Sequence, residues 1–143
     1  MLSETDKAYL AGLIDGEGSI VIEDCNYRKN VTLRMNITNS HIETLQELKR
    51  LYGGCLYIHR SKQLNRYKPV GQLGFTARRA AWILKEICPY LRIKKEQGQL
   101  ALQFAETITP RLHNGKRLSL EVKEKRRQLR EQISKLNKRG PSE

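Results

Sequence analysis

Residues 31–38 alternate without a break, with Val31, Leu33, Met35 and Ile37 on one parity and Thr32, Arg34, Asn36 and Thr38 on the other. Side chains repeat every two residues in a strand and every 3.6 in a helix, so this stretch predicts a strand with one apolar and one polar face. A strand of that kind belongs to a sheet covered on one side only, which is the habit of antiparallel sheets. The surrounding sequence supplies its neighbours. Ser19–Asp24 reads as a strand just before it, and a second hairpin is expected over about 55–61 and 67–76 with a basic polar loop between. A helix over 4–14 starts at a Ser3/Asp6 cap pair and carries Tyr9, Leu10, Leu13 and Ile14. Asn39-Ser40 starts a helix over 41–51, which Gly53-Gly54 stop. Helices at about 77–88 and 93–107 lie on either side of Pro89. A basic helix over about 116–138 has Leu118, Val122, Leu129, Ile133 and Leu136 on one side, and a short tail, 139–143, follows. The expected fold is α+β: a four-stranded antiparallel sheet with helices on one face, in the order αββαββα plus C-terminal helices. We expect one domain over 1–143, with its core at about 4–108.

Charge narrows the partners. The chain carries 27 Lys/Arg against 15 Asp/Glu, a net charge of +12. Residues 111–139 hold eleven of the basic residues and three Glu, so eight of the twelve net charges lie there. A polyanion is the expected partner, nucleic acid first. No apolar run approaches the ~18–20 residues of a membrane span, so no membrane partner is expected. Met1 to Lys7 show no secretory signal. Cys25, Cys55 and Cys88 lack zinc spacing and read as reduced thiols in a cytosol-like, intracellular compartment. His41, His59 and His113 also lack metal spacing, and with Ser19 they form no catalytic triad. The polar face of the strand at 31–38 is open to two readings at this point: a solvated face, or a donor-rich surface that reads base edges in a DNA major groove.

The segment Leu10-Ala11-Gly12-Leu13-Ile14-Asp15-Gly16-Glu17-Gly18 carries the chemistry. Ala8, Ala11 and Gly12 give an otherwise apolar helix a small-residue face that lets a second helix approach closely. Gly12 costs about 1 kcal/mol of helix stability relative to Ala, which asks for a packing reason. Asp15 and Glu17 then stand at a helix end whose carbonyls are already partly negative. A bound hard cation such as Mg²⁺ or Ca²⁺ would reverse that unfavourable sign. The plain alternative is a glycine-rich surface turn with two solvated acids.

The nine residues Leu10–Gly18 match the signature of the LAGLIDADG homing endonucleases, with Gly16 for the usual alanine and Glu17 for the usual second aspartate. Asn36-Ile37-Thr38-Asn39, Leu51-Tyr52-Gly53-Gly54 and Pro89-Tyr90-Leu91-Arg92-Ile93-Lys94-Lys95-Glu96-Gln97 resemble further stretches of that family in its order and spacing. The resemblance covers roughly residues 5–107. It implies a saddle-shaped sheet lying in the major groove and signature helices paired at a dimer axis over the minor groove. It also implies divalent metal, with Mg²⁺ first and Ca²⁺ or Mn²⁺ able to substitute. One motif copy resembles the small homodimeric branch, which binds a long pseudo-palindromic site on double-stranded DNA and cuts both strands, as in intron homing.

By that resemblance Glu17 is the catalytic metal-binding carboxylate, and the Gly16 carbonyl is a second ligand. Asp15 caps or stabilises the turn beside the dimer-interface residues Ala8, Ala11 and Gly12. Asn39 orients the attacking water, and Lys94 stands near the scissile phosphate, with Lys95 as the neighbour that could be confused with it. The candidates for base reading are Glu23, Cys25, Arg28, Asn30, Thr32, Arg34, Asn36 and Thr38, joined by Tyr57, His59, Arg60 and Gln72. Parity puts Leu56 and Ile58 inward and Tyr57 and His59 outward. Lys123, Lys125, Arg126, Arg127 and Arg130 are read as phosphate contacts, the alternative being a solvated helix face. Glu43 departs from the pattern, standing where some relatives carry an arginine. The competing functions are a catalytically inactive DNA-binding repressor and an intron RNA maturase.

Overall fold

The computed structural model describes residues 2–25, 30–60, 69–108 and 119–138, with the side chains of residues 25 and 30 left out. Candidate Arg28, together with His113, Leu118 and the tail at 139–143, lies outside the described residues. The elements run α1 (Glu4–Glu17), β1 (Gly18–Cys25), β2 (Asn30–Asn39), α2 (Ile42–Tyr52), β3 (Cys55–His59), β4 (Val70–Thr76), α3 (Ala77–Ile87), a 3-10 turn at Cys88–Tyr90, α4 (Lys95–Glu106) and α5 (Leu120–Asn137). The four strands form one antiparallel sheet in the order β1-β2-β4-β3, so the second strand of each hairpin is central.

The parity of β2 organises the interior. Leu33, Met35 and Ile37 are fully buried, and the register sets Ile20, Ile22, Leu73 and Phe75 on the same face. Helices cover that face with Leu10, Ala11 and Ile14 from α1, Ile83, Leu84 and Ile87 from α3, and Ala101 and Phe104 from α4. Burying a side chain of Leu, Ile, Met or Phe in full is worth about 1.5–3 kcal/mol, so the choice of face is decided many times over. Ile58 has the inward parity expected of it but stays 48% exposed. It sits on β3, an edge strand that packs against α2.

Local chemistry sets the helix ends. Ser3 and Asp6 form the expected cap: Asp6 N–H donates to Ser3 Oγ at 3.1 Å, and Ser3 N–H donates to Asp6 Oδ2 at 3.3 Å. α1 runs three residues beyond the expected 14, through Glu17. Gly18 then turns straight into β1, and a Cβ there would lie 2.7 Å from Ile14 Cα and 3.0 Å from the Asn36 carbonyl. α2 starts one residue later than expected. Its cap is His41, whose Nδ1 accepts from Thr44 N–H at 3.3 Å, while Asn39 Oδ1 accepts from His41 N–H at 2.8 Å. The stop at Gly53-Gly54 uses positive φ values of 75° and 93°.

α5 joins the helical layer against α4 and β1. Leu129 and Ile133 are buried, Asn137 Nδ2 donates to the Ile20 carbonyl at 2.9 Å, and Arg130 pairs with Asp24 at 2.8 Å. No helix among the described residues is long and apolar enough to cross a membrane.

Tyr52 is buried between α2 and α3, with its ring 6.3 Å from that of Trp82. Its Oη has no hydrogen-bond partner among the described residues. Burial pushes the phenol pKa up, and the charges of Asp6 and Glu86 act in the same direction. An unpartnered buried hydroxyl costs about 1–3 kcal/mol, so Tyr52→Phe should leave stability unchanged or raise it by about 1 kcal/mol. Urea unfolding checks this, and a clear loss of stability would show that the hydroxyl is satisfied.

Candidate functional site

α1 ends at the surface. Leu10, Ala11 and Ile14 face the core, which leaves Ala8, Gly12 and Gly16 in an exposed line at spacings of four. The expectation placed Ala11 on the small-residue face for a partner helix, but it is completely buried among its own chain's side chains. A Cβ added at Gly12 or Gly16 would meet nothing within 4 Å. Nothing among the described residues therefore requires glycine at these two helical positions.

The last turn of α1 meets the start of α4. Asp15 Oδ2 accepts from Arg92 N–H at 2.8 Å, and Oδ1 accepts from Lys94 N–H at 2.9 Å. In return, Lys94 Nζ donates to the Asp15 carbonyl at 2.8 Å. Glu17 is exposed two residues further on. α1 has no basic residue in its own last turn, so Lys94 supplies the cation that the helix end favours. Asn39 lies at the end of β2 with Oδ1 engaged by His41, which leaves Nδ2 as the group able to hold a water. Glu43 is exposed and lines a shallow depression with Tyr9, His41, Thr44 and Glu47. Among the described residues there is no cluster of three or more His, Cys, Asp or Glu able to hold a metal ion.

The uncovered face of the sheet is polar. Rows across the strands set Ser19, Asn36, Gly74 and Cys55 side by side, then Thr38, Gln72 and Tyr57, then Val21, Arg34 and Thr76. A groove of about 440 Å³ is lined by Arg34, Asn36, Cys55, Tyr57, His59, Gln72, Gly74 and Thr76. The structure thus brings Arg34, Asn36, Tyr57, His59 and Gln72 together, with His59 Nε2 3.4 Å from Gln72 Oε1. Arg34 Nη1 also pairs with Glu23 at 2.8 Å. Thr32 and Thr38 share this face, and Arg60 is exposed just past β3. The backbones of Cys25 and Asn30 pair at the far end of the β1–β2 hairpin. Cys55 and Thr76 were not among the expected residues. Carrying the parity of Tyr57 back to residue 55, and that of Gln72 forward to residue 76, would have found both.

Arg126 is the clearest correction among the basic residues of α5. It is only 8% exposed, and its guanidinium stacks 4.9 Å from the Phe104 ring centre. Nε donates to Thr107 Oγ1 at 2.8 Å and Nη2 to the Thr107 carbonyl at 3.1 Å. Burial pushes its pKa down. The spacing explains it: 126, 129 and 133 fall on one helical stripe, so Arg126 fills the gap between Val122 and Leu129 on the inward face. Lys123 is half-buried, Lys125 and Arg127 are exposed, and Arg130 is held by Asp24.

Solved structures with the same arrangement are DNA endonucleases. The homing endonuclease I-CvuI, in complex with its target in the presence of Ca²⁺, superposes with a TM-score of 0.69 at 18% identity, over 95% of this chain and 84% of that one. The archaeal intron-encoded homing endonuclease I-Vdi141I, complexed with DNA, gives 0.70 at 18% identity over 96% and 87%. The LAGLIDADG meganuclease I-AabMI, bound to uncleaved DNA, gives 0.62 at 24% identity over 87% of this chain but 43% of its own. This chain has the LAGLIDADG homing endonuclease fold. In sequence, it is 33% identical over 63 residues to an intron-encoded DNA endonuclease of Dictyostelium discoideum, ai2b. That match takes in 44% of this chain and spans about a quarter of the length of the curated relative. No protein-family model matches the chain.

Arg126 and Arg127 are neighbours in sequence with opposite surroundings. Arg126→Ala should destabilise the fold by on the order of 2 kcal/mol, through the lost hydrogen bonds and ring contact. Arg127→Ala should stay within about 0.5 kcal/mol of the parent. Thermal unfolding of the two variants distinguishes them, and equal stabilities would contradict the buried placement.

Proposed function

We propose that this chain is a site-specific DNA endonuclease that acts as a homodimer, with one Glu17 serving each DNA strand. The observation that carries the reading is the end of α1, where Asp15 is bonded to Lys94 and the exposed Glu17 is the last helical residue, in the fold of known DNA endonucleases. The glycine line supports the dimer. Gly12 lowers helix stability by about 1 kcal/mol, and no atom of the described residues needs the space. A second α1 packed on Ala8, Gly12 and Gly16 would use it, and would bring two Glu17 residues to one axis. The lengths agree: the chain corresponds to just under half of I-AabMI, so two copies match the longer protein.

The donors fit a hard divalent cation. Glu17 offers a carboxylate and Gly16 a backbone carbonyl at an exposed helix end, and two subunits would double the set. I-CvuI has been solved with Ca²⁺ and with Mg²⁺ present. When bound, such an ion supplies Lewis-acid stabilisation and lowers the pKa of a water. The chain's own groups do the rest. Lys94, held at the helix end, places an ammonium where negative charge develops on the phosphate. Asn39 orients a water through Nδ2. The polar face of the sheet enters the major groove, where Arg34 suits guanine, and Asn36 and Gln72 suit adenine. Lys123 and Arg127 on α5 contact phosphates.

Glu43 favours a second reading, a DNA binder of the same fold that cuts poorly or not at all. An acid at that position cannot stabilise a phosphate. One experiment separates the two. On a duplex selected by the protein from a randomised pool, with Mg²⁺, wild type should cut both strands. Glu17→Gln keeps the shape and removes the charge, so cleavage should fall by on the order of 10³-fold while binding persists. Cleavage by the variant at the wild-type rate would remove Glu17 from the site. A wild type that binds this duplex without cutting it would favour the second reading.

A further inference from the structure

We propose that Asp15 is the positioning residue for Lys94, through an exchange of caps that fixes the end of α1 and the start of α4 as one unit; the inference rests on the endonuclease reading above. Each helix end lacks what the other provides. The last carbonyls of α1 face outward with no basic residue in their own turn. Lys94 is the N-cap of α4 and makes no side-chain cap bond to its own helix, although amides near a helix start need an acceptor. Asp15 gives its carboxylate to the amides of Arg92 and Lys94, and Lys94 gives its ammonium to the Asp15 carbonyl. The three bonds measure 2.8–2.9 Å and join residues 77 and 79 apart in sequence. All three involve a charged group, the stronger class of hydrogen bond.

A free lysine ammonium sweeps a wide arc on its flexible stem. Here Lys94 is held at both ends, its amide by Asp15 Oδ1 and its Nζ by the Asp15 carbonyl. The freedom is lost on folding and not when DNA arrives, so the ammonium is already placed beside the Glu17 end of α1. The clasp also separates two adjacent lysines. Lys95, the first residue of α4, is exposed and carries no part of the exchange. Asp15 itself need not touch DNA, so its removal should slow the chemical step more than it weakens binding.

The test is a double-mutant cycle of Asp15→Ala and Lys94→Met, read as single-turnover cleavage of the selected duplex with Mg²⁺, dissociation constant and thermal midpoint. Each single variant should cut about 10–100-fold more slowly, with binding within about threefold of wild type. The double variant should be no slower than the worse single one, because both remove the same placement. Asp15→Asn keeps one acceptor for the backbone amides and should recover part of the rate; it also carries the cycle if Asp15→Ala does not fold. Lys95→Met should stay within about twofold of wild type. Rate losses that multiply in the double variant, or an Asp15 effect confined to binding or stability, would overturn the proposal. If wild type binds the duplex without cutting while the thermal cycle still shows coupling, the endonuclease reading fails. The clasp would then be structural only.

Discussion

The helical layer of this protein exists to cover Leu33, Met35 and Ile37. These side chains leave β2 on one face, and the register carries the same face across Ile20 and Ile22 on one side and Leu73 and Phe75 on the other. A one-residue slip would turn all of them to solvent, so the parity of a single strand fixes the register of three. It equally fixes what remains uncovered. Thr32, Arg34, Asn36 and Thr38 are polar because they stand opposite the core, and the groove on that face follows from their rows with Gln72, Tyr57 and Cys55. The apolar core and the polar groove thus sit on opposite sides of one sheet.

The second constraint lies at the end of α1. A helix terminating in Asp15-Gly16-Glu17 gathers negative charge where its own carbonyls are already negative. The fold relieves this in two ways. Asp15 turns to the amides at the start of α4, and Lys94 brings an ammonium back to the α1 carbonyl. Glu17 remains exposed at this end, which is what a carboxylate needs if it is to meet a cation and a DNA strand.

Much of this was legible in the sequence, for reasons that can be named. Strand parity, the Ser3/Asp6 cap and the glycine stop after Tyr52 are local signals, and each appears in the structure as read. The misses were of two kinds. Some were local and recoverable: Arg126 lies on the same stripe as Leu129 and Ile133, and Ala11 on the same face as Leu10 and Ile14, yet composition drew one toward phosphate and the other toward a partner helix. Others were non-local. Nothing near residue 15 announces that its carboxylate will bind amides 77 and 79 residues away, or that the Lys94 ammonium will return to its carbonyl. The Asp24–Arg130 pair is of the same non-local kind.

The central claim is that two copies of α1 meet at an axis and that each Glu17 serves one strand. A mixed dimer tests this most directly: one wild-type copy and one Glu17→Gln copy, purified through two different tags and given a supercoiled plasmid carrying the selected site, with Mg²⁺. The account predicts nicked circles that accumulate and only traces of linear DNA. Linear product at the wild-type rate would contradict it, as would a mixed dimer that binds the site and cuts neither strand.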